Sequence, residues 1–352
     1  MSRWMIYGAN GYTGRLIAHE AARRGQRPVI AGRNAEAING LGSELGFEAR
    51  VVDLLDREAL QQSLRDVDVV LHCAGPFSAT AQAMIDACLA SSTHYLDITG
   101  EISVFEGAWK RSEEARQADI VLCPGAGFDV VPTDCLAARL VGEMPAATHL
   151  TLAFRADGGL SPGTAKTSVE GLARGGFVRR DGKLEAVPLA WKTRTIPFAD
   201  GPLNAMTIPW GDVFTAWVST GVGNIEVYLA VPPSTSRRLR RMRLIRPILA
   251  LSPVQSLMKR RIEKSISGPD DDTRQSSGSL LWGEASSADG RIVTGHMRTP
   301  NGYDLTVTAS LGLVEFLLNK RPPEGGYFTP SLLAGPAFAE SLPGVTLDLS
   351  IA

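Results

Sequence analysis

The sequence is poor in the residues that build metal centres, disulfide scaffolds and membrane spans. Only four cysteines occur in 352 residues (Cys73, Cys88, Cys123, Cys135), without a C-x-x-C pair, and the five histidines show no H-x-x-x-H spacing. This excludes the usual zinc and disulfide frameworks and points to thiols used as small core residues in a reducing compartment. Charge of one sign is also missing: 36 Lys+Arg against 37 Asp+Glu leave a formal net charge of -1. Without a global field to hold a phosphate backbone, a dedicated nucleic-acid binder is not expected. No uninterrupted apolar run reaches the roughly 18 residues a spanning helix needs. The N-terminal MSRWMIYGANG places a strand and a glycine turn where a signal peptide would carry its apolar region, so a cytoplasmic protein is expected. One catalytic device is absent too. None of the six tyrosines is followed four positions later by lysine, which rules out the Tyr-x-x-x-Lys proton-transfer dyad.

What is present is an ordinary globular composition, 44% hydrophobic and 21% charged, in a chain long enough for about two domains. Short apolar runs at 3–7, 28–31, 49–52, 67–73, 94–98 and 120–123 alternate with helical stretches at 15–24, 35–45, 57–64, 81–89 and 103–118. Strands that are apolar without alternation, each followed by a helix, predict a parallel sheet covered on both faces. Beyond about Gly127 the pattern changes. Segments 148–156, 213–220, 224–230, 290–298 and 303–309 read as longer strands with partial alternation, separated by Gly/Pro-rich turns. The fold class expected is therefore α/β: a Rossmann-type doubly wound parallel sheet, with a second α+β domain containing a mixed or antiparallel sheet.

The sharpest motif is Gly8-Ala9-Asn10-Gly11-Tyr12-Thr13-Gly14, which follows the first strand and opens the first helix. That context is what a dinucleotide fingerprint requires: Gly8 for the tight turn, Gly11 for close approach of a pyrophosphate, Gly14 for helix–strand packing. The diphosphate would rest on the helix N-terminal amides. After the second strand stands Arg33-Asn34 rather than an acid, so a 2′-phosphate is favoured over a free 2′-hydroxyl and NADP(H) over NAD(H). Asp53, after the third strand, is placed either to bond the adenine amino group or to cap a helix. Cys73-Ala74-Gly75-Pro76-Phe77, after the fourth, should pass beside the nicotinamide ribose. The cofactor-binding set is thus Gly8, Asn10, Gly11, Tyr12, Thr13, Gly14, Arg33, Asn34, Asp53, Ala74, Gly75 and Pro76.

These motifs, with HYLDITGE (94–101), PGAGFDVVPTD (124–134), SPGTAKTSVEG (161–171), LLWGEASSADG (280–290), NGYDLT (301–306) and GGYFTPSLLAG (325–335), resemble the saccharopine dehydrogenase-like oxidoreductases. The branch containing trans-acting enoyl reductases is included. The resemblance implies a Rossmann domain at 1–127 completed by a returning segment at 325–352, a substrate and dimerisation domain at 128–324, and a homodimer. It does not imply saccharopine as substrate, because no arginine constellation for several carboxylates is recognisable. An NADPH-dependent reductase of an activated C=C or C=N bond, in a small-molecule or acyl substrate, is the first expectation. A non-catalytic NADP-binding scaffold and a saccharopine-type amino-acid dehydrogenase are the alternatives. Candidate proton donors at the C-terminal ends of the later strands are Asp97, Thr99, Glu101, Asp129 and Asp134, where paired acids could hold a proton at neutral pH. Lys166, in GTAKTS, is a further candidate. Asp97 and Glu101 have a second reading as cap and first-turn acids of the following helix, while His72 and Cys73 read as packed residues. No metal is expected.

Segment 234–264 differs from everything around it. Ten arginines and lysines flank an apolar centre, with Glu263 the only acid. It could lie on an anionic membrane, with Leu244, Ile245, Ile248, Leu249 and Leu251 at the acyl boundary. It could equally form two helices that pack on the second domain or a dimer partner, since Pro247 and Pro253 interrupt a single helix.

Overall fold

The structure, a computed structural model, describes residues 3–159, 161, 163–165, 169, 171, 175–245, 251–265, 268–320 and 324–351. It divides into two compact units, one of residues 1–131 and 303–335, the other of 132–302 and 336–352.

The first unit is built on a parallel sheet of β1 (Trp4–Tyr7), β2 (Val29–Gly32), β3 (Ala49–Val51), β4 (Val69–His72), β5 (His94–Asp97), β6 (Val121–Cys123) and β15 (Gly326–Tyr327). The order is β15-β6-β5-β4-β1-β2-β3, the doubly wound arrangement whose direction reverses beside β1. Its strands are short apolar runs because both faces are covered: Met5, Ile6, Ile30, Val69, Val70, Leu71, Leu96 and Leu122 have no solvent exposure. The crossovers are α1 (Tyr12–Arg23), α2 (Ala35–Leu45), α3 (Arg57–Leu64), α4 (Phe77–Ser91), and the pair α5 (Ile102–Lys110) and α6 (Ser112–Gln117), which replaces the single helix expected over 103–118.

The second unit contains α7 (Val131–Glu143) and a mixed sheet in the order β10-β11-β12-β7-β13-β14-β16, with β8 and β9 attached through β12. These strands are β7 (Ala147–Ala156), β8 (Gly176–Arg180), β9 (Lys183–Val187), β10 (Thr193–Phe198), β11 (Gly201–Thr207), β12 (Asn224–Ala230), β13 (Gly278–Ser287), β14 (Ile292–Pro300) and β16 (Thr346–Ile351). β7 and β12 run parallel, and their other neighbours are antiparallel. A core of Ala153, Ile196, Phe198, Ala205, Tyr228, Leu280 and Trp282 joins the β10–β11 hairpin to the sheet centre.

Several expectations are corrected. Residues 213–220 are not a strand but α8 (Asp212–Thr220), closed by Gly221 at a φ of 74°, with the consecutive residues Asp212 to Ala216 all buried rather than alternating. Residues 303–309 lie in α12 (Gly302–Asn319). There Leu305, Val307, Ala309, Leu311 and Leu313 alternate in sequence, yet all are buried because most of the helix circumference is enclosed. The C-terminal return divides. β15 extends the first sheet beside β6, whereas β16 pairs with β14 in the second, and the segment that joins the first unit begins at 303 rather than 325. The hairpins β8–β9 and β10–β11 carry a local sequence signal. Asp181-Gly182 forms a two-residue turn with both φ values positive, 46° and 75°, which is the Asp-Gly hairpin signature.

Candidate active site

The glycine turn at the end of β1 is shaped by two contacts that leave no room for side chains. Gly8 has a φ of 82°, and a Cβ there would stand 2.8 Å from the Cβ and N of Ala74 in the loop after β4. At Gly14 a Cβ would stand 2.3 Å from the Gly8 carbonyl oxygen, so α1 reaches the turn only with glycine at that position. Gly11 is different. It is exposed, has an ordinary φ of -74°, and a Cβ would meet only the Gly8 carbonyl oxygen, at 3.3 Å. That contact is tight, but it is milder than the overlaps that fix glycine at 8 and 14. The α1 N-terminus has no capping side chain and no acid in its first turn, leaving its amides and its positive dipole end available to an anion. Tyr12 and Thr13, half-buried on that turn, are followed in space by Tyr303, whose ring meets Tyr12 edge-on at 5.1 Å.

At the neighbouring strand end the exposed Arg33 has no hydrogen bond or ion pair among the described residues. Asn10 is exposed, with its Oδ1 3.1 Å from where a Cβ on Gly32 would lie. Asn34 caps α2, its Oδ1 accepting from the Ala37 amide at 3.1 Å. The cap of α3 is Asp56, which accepts from Ala59 at 3.1 Å, while Asp53 turns the loop by accepting from the Leu55 amide at 3.0 Å. Tyr7, not anticipated from the sequence, donates its hydroxyl to the Val52 carbonyl at 3.0 Å. Burial and then the Asp53 charge push its phenol up to about 12, against a lowering by Arg33.

The loop after β4 is braced from beneath. The Thr80 hydroxyl lies 2.7 Å from the Ala74 carbonyl and 3.2 Å from that of Pro76, and His72 Nε2 stands 3.0 Å from the same hydroxyl. With the Thr80 proton directed to a carbonyl, His72 is assigned as the donor to Thr80, leaving Nδ1 buried without a partner. Burial pushes the imidazole down to about 3, so His72 is a neutral packing residue, as the sequence suggested. Gly75 and Pro76 are exposed and joined by a cis peptide bond, and Ala74 is half-buried. Glu101 completes the brace in an unexpected way. Its carboxylate accepts from the amides of Phe77 at 2.9 Å and Ser78 at 3.1 Å, so it caps α4, the neighbouring helix, and offers no side-chain cap to α5, which it precedes.

Two more acids stand at the ends of β5 and β6. Asp97 is fully buried and accepts from the Tyr95 hydroxyl at 2.6 Å and the amides of Thr99 and Gly125 at 2.9 Å each. Burial nevertheless pushes its carboxyl up to about 6, opposed by those three donors. Asp129 is half-buried and has no hydrogen-bond partner among the described residues. Its Oδ2 lies so close to Gly100 that a Cβ there would approach it to 2.7 Å, and the enclosure pushes its carboxyl up to about 7. Thr99 is buried and accepts from the Glu101 amide at 3.0 Å. Asp134 is buried in the first turn of α7, in the second unit. Lys166 lies outside the described residues. Among the described residues no three His, Cys, Asp or Glu side chains are grouped to hold a metal.

A doubly wound parallel sheet, a glycine turn opening a helix N-terminus without a side-chain cap and an exposed arginine after β2 are the features of a dinucleotide-binding domain. Residues 4–123 match the family model of the saccharopine dehydrogenase NADP binding domain. A saccharopine dehydrogenase-like oxidoreductase of Bos taurus is 28% identical over 152 residues, covering 37% of this chain and 35% of the relative. A trans-acting enoyl reductase of Mycobacterium bovis (strain BCG / Pasteur 1173P2) is 30% identical over 141 residues, covering 37% and 33%. The matched part thus spans about 35% of the first relative's length and 33% of the second's. The fold extends further than the sequence likeness. Apo saccharopine dehydrogenase (L-Glu forming) from Saccharomyces cerevisiae superposes over 100% of both chains with a TM-score of 0.68 at 12% identity.

Proposed function

We propose that this protein is an NADPH-dependent oxidoreductase that reduces an activated C=C (enoyl) or C=N bond in a small or lipid-like substrate. The observation that carries the reading is the pairing, within one unit, of a free anion-binding helix terminus with an unpartnered Asp129 carboxyl that keeps its proton near neutral pH. Bound NADPH would supply the hydride. The chain's own contribution is distributed over a few groups. The α1 amides and Gly11 receive the diphosphate, Arg33 pairs with the 2′-phosphate, and Glu101 with Thr80 holds the Ala74–Pro76 loop in place. Asp129 donates the proton that completes reduction, and regains it from water. Asp97 is assigned a positioning role, because its carboxylate ties down its own neighbours, the Tyr95 hydroxyl and two loop amides.

The test is NADPH oxidation by the full chain with enoyl thioesters, cyclic imines, and 2-oxo acids mixed with amines. Turnover of the first or second class is expected. Turnover confined to oxo acid plus amine would favour the saccharopine-type reading, and tight NADPH binding without turnover in any class would favour a scaffold. A cytoplasmic setting, in keeping with four free cysteines, and a homodimer belong to the same proposal; light scattering of the purified chain measures the latter. No helix among the described residues is long and apolar enough to cross a membrane.

A further inference from the structure

The basic segment of the second unit has a docked side and a free side, and the tertiary structure decides which residues fall on each. In α9 (Pro233–Met242), Ser236 is buried. Arg240 and Arg243, at helical spacing from it, are tied to the chain. Arg240 Nε donates to the Ala190 carbonyl at 3.0 Å, and Arg243 donates to the carbonyls of Leu189 at 2.7 Å and Ala190 at 2.8 Å. The complementary positions, Arg237, Arg238, Arg241 and Leu244, are exposed, and 88% of the Leu244 surface meets solvent. The second helix, α10 (Ser252–Ser265), repeats the pattern. Val254, Gln255, Met258 and Ile262 are half-buried, with Gln255 donating to the Val169 carbonyl at 3.3 Å, while Leu257, Arg260 and Arg261 are exposed.

Two features of this free side identify its partner. Three of the nine exposed large apolar side chains among the described residues, Leu244, Leu251 and Leu257, belong to it. Its exposed arginines also stand without acids: Arg238, Arg241, Arg260 and Arg261 form no side-chain ion pair among the described residues, and Glu263 is the only acid in 233–265. The exposed leucines lie among these arginines along the chain. They suit a fluid surface that accepts each leucine individually and offers phosphates to each guanidinium. We propose that the outward sides of α9 and α10 dock this protein on an anionic lipid bilayer, peripherally and without insertion across it. The docked arginines, Arg240 and Arg243, hold α9 to the protein; the free ones meet headgroups.

The experiment is co-sedimentation of the full chain with vesicles of phosphatidylcholine alone or mixed with phosphatidylglycerol, at low and raised salt. It needs neither cofactor nor substrate, so its outcome is independent of the proposed reductase activity. Binding to the anionic vesicles at least about tenfold above neutral ones, weakened by salt, is expected from several unpaired arginines near the surface. The triple variant R237E/R238E/R241E should lose that preference, and L244S should weaken binding while keeping its salt dependence. R260E/R261E supplies a second charge test should the triple variant fail to fold, as judged by circular dichroism. Protein left in the supernatant with anionic vesicles at low salt overturns the proposal. So does equal binding to neutral vesicles, or a self-association measured by light scattering that the same charge reversals abolish.

Discussion

Three glycines in one turn do different work, and single substitutions separate them. A Cβ on Gly14 or Gly8 would approach neighbouring backbone to 2.3 or 2.8 Å, whereas on Gly11 it would meet one carbonyl oxygen at 3.3 Å. Gly11→Val should therefore leave the thermal transition within a few degrees of wild type and abolish NADPH binding measured by cofactor fluorescence. Gly14→Val should lower stability itself, since its Cβ would overlap the Gly8 carbonyl. Arg33→Asp should reduce the preference for NADPH over NADH by at least about tenfold, the scale of one charge-assisted bond worth about 1.5–3 kcal/mol. Asp129 makes a prediction with a definite sign. Its carboxyl is raised from an ordinary 3.8 to about 7 in the folded chain, so between those values the folded state binds more protons than the unfolded one. Stability must then fall as pH rises through that window, by on the order of 1–3 kcal/mol after allowance for its partial exposure. Asp129→Asn cannot ionise and should flatten that fall in urea titrations at pH 5 and pH 8. In the turnover assay it should lower kcat with little change in NADPH affinity, and an unchanged kcat would remove Asp129 from the mechanism.

At the scale of elements, the interesting case is a carboxylate that serves a helix other than its own. Glu101 precedes α5 and could be read from sequence as its cap, yet it caps α4, 24 residues away along the chain from Phe77. Sequence spacing cannot reveal this, because the parallel order of β4 and β5 is what brings the two loops together. Loss of a cap of this type costs about 0.5–2 kcal/mol. Glu101→Ala should show that loss in denaturant unfolding and weaken NADPH binding through a looser Ala74–Pro76 loop. Glu101→Gln, which can still accept one bond, should recover part of both. The helical state of α12 is likewise set by distant packing. Its apolar residues alternate over 305–313, the pattern of a half-buried strand, and only the enclosure of most of its circumference makes a helix of them. The two Asp-Gly and Asp-containing hairpin turns in 176–207 are the opposite case, legible from local chemistry alone.

For the whole molecule, the first unit is discontinuous: it closes only when residues 303–335 return to it. α12 is fastened to the turn after α1 by Arg24 and Gln26, which donate to Glu315 at 3.3 Å and 2.7 Å, and the Phe128 amide donates to Thr306 at 3.0 Å. A fragment ending at Val131 should consequently show secondary structure by circular dichroism but no cooperative melt and no NADPH binding. Fusing 303–335 to it through a flexible linker should restore both; a fragment that binds NADPH without the return would show that the break lies elsewhere.

The sequence by itself determined the parallel sheet and the glycine turn, because each depends on contacts within a few residues: an apolar run, a backbone conformation. Only the tertiary structure decided that Asp129 is left without a partner while Asp97 is satisfied, that Glu101 caps a neighbour, and that Arg240 and Arg243 face inward while Arg238 and Arg241 face out. The acids and arginines concerned are chemically identical within each set. What distinguishes them is which backbone amides and carbonyls lie within about 3 Å once distant strands and loops are assembled, the range over which a hydrogen bond forms at all.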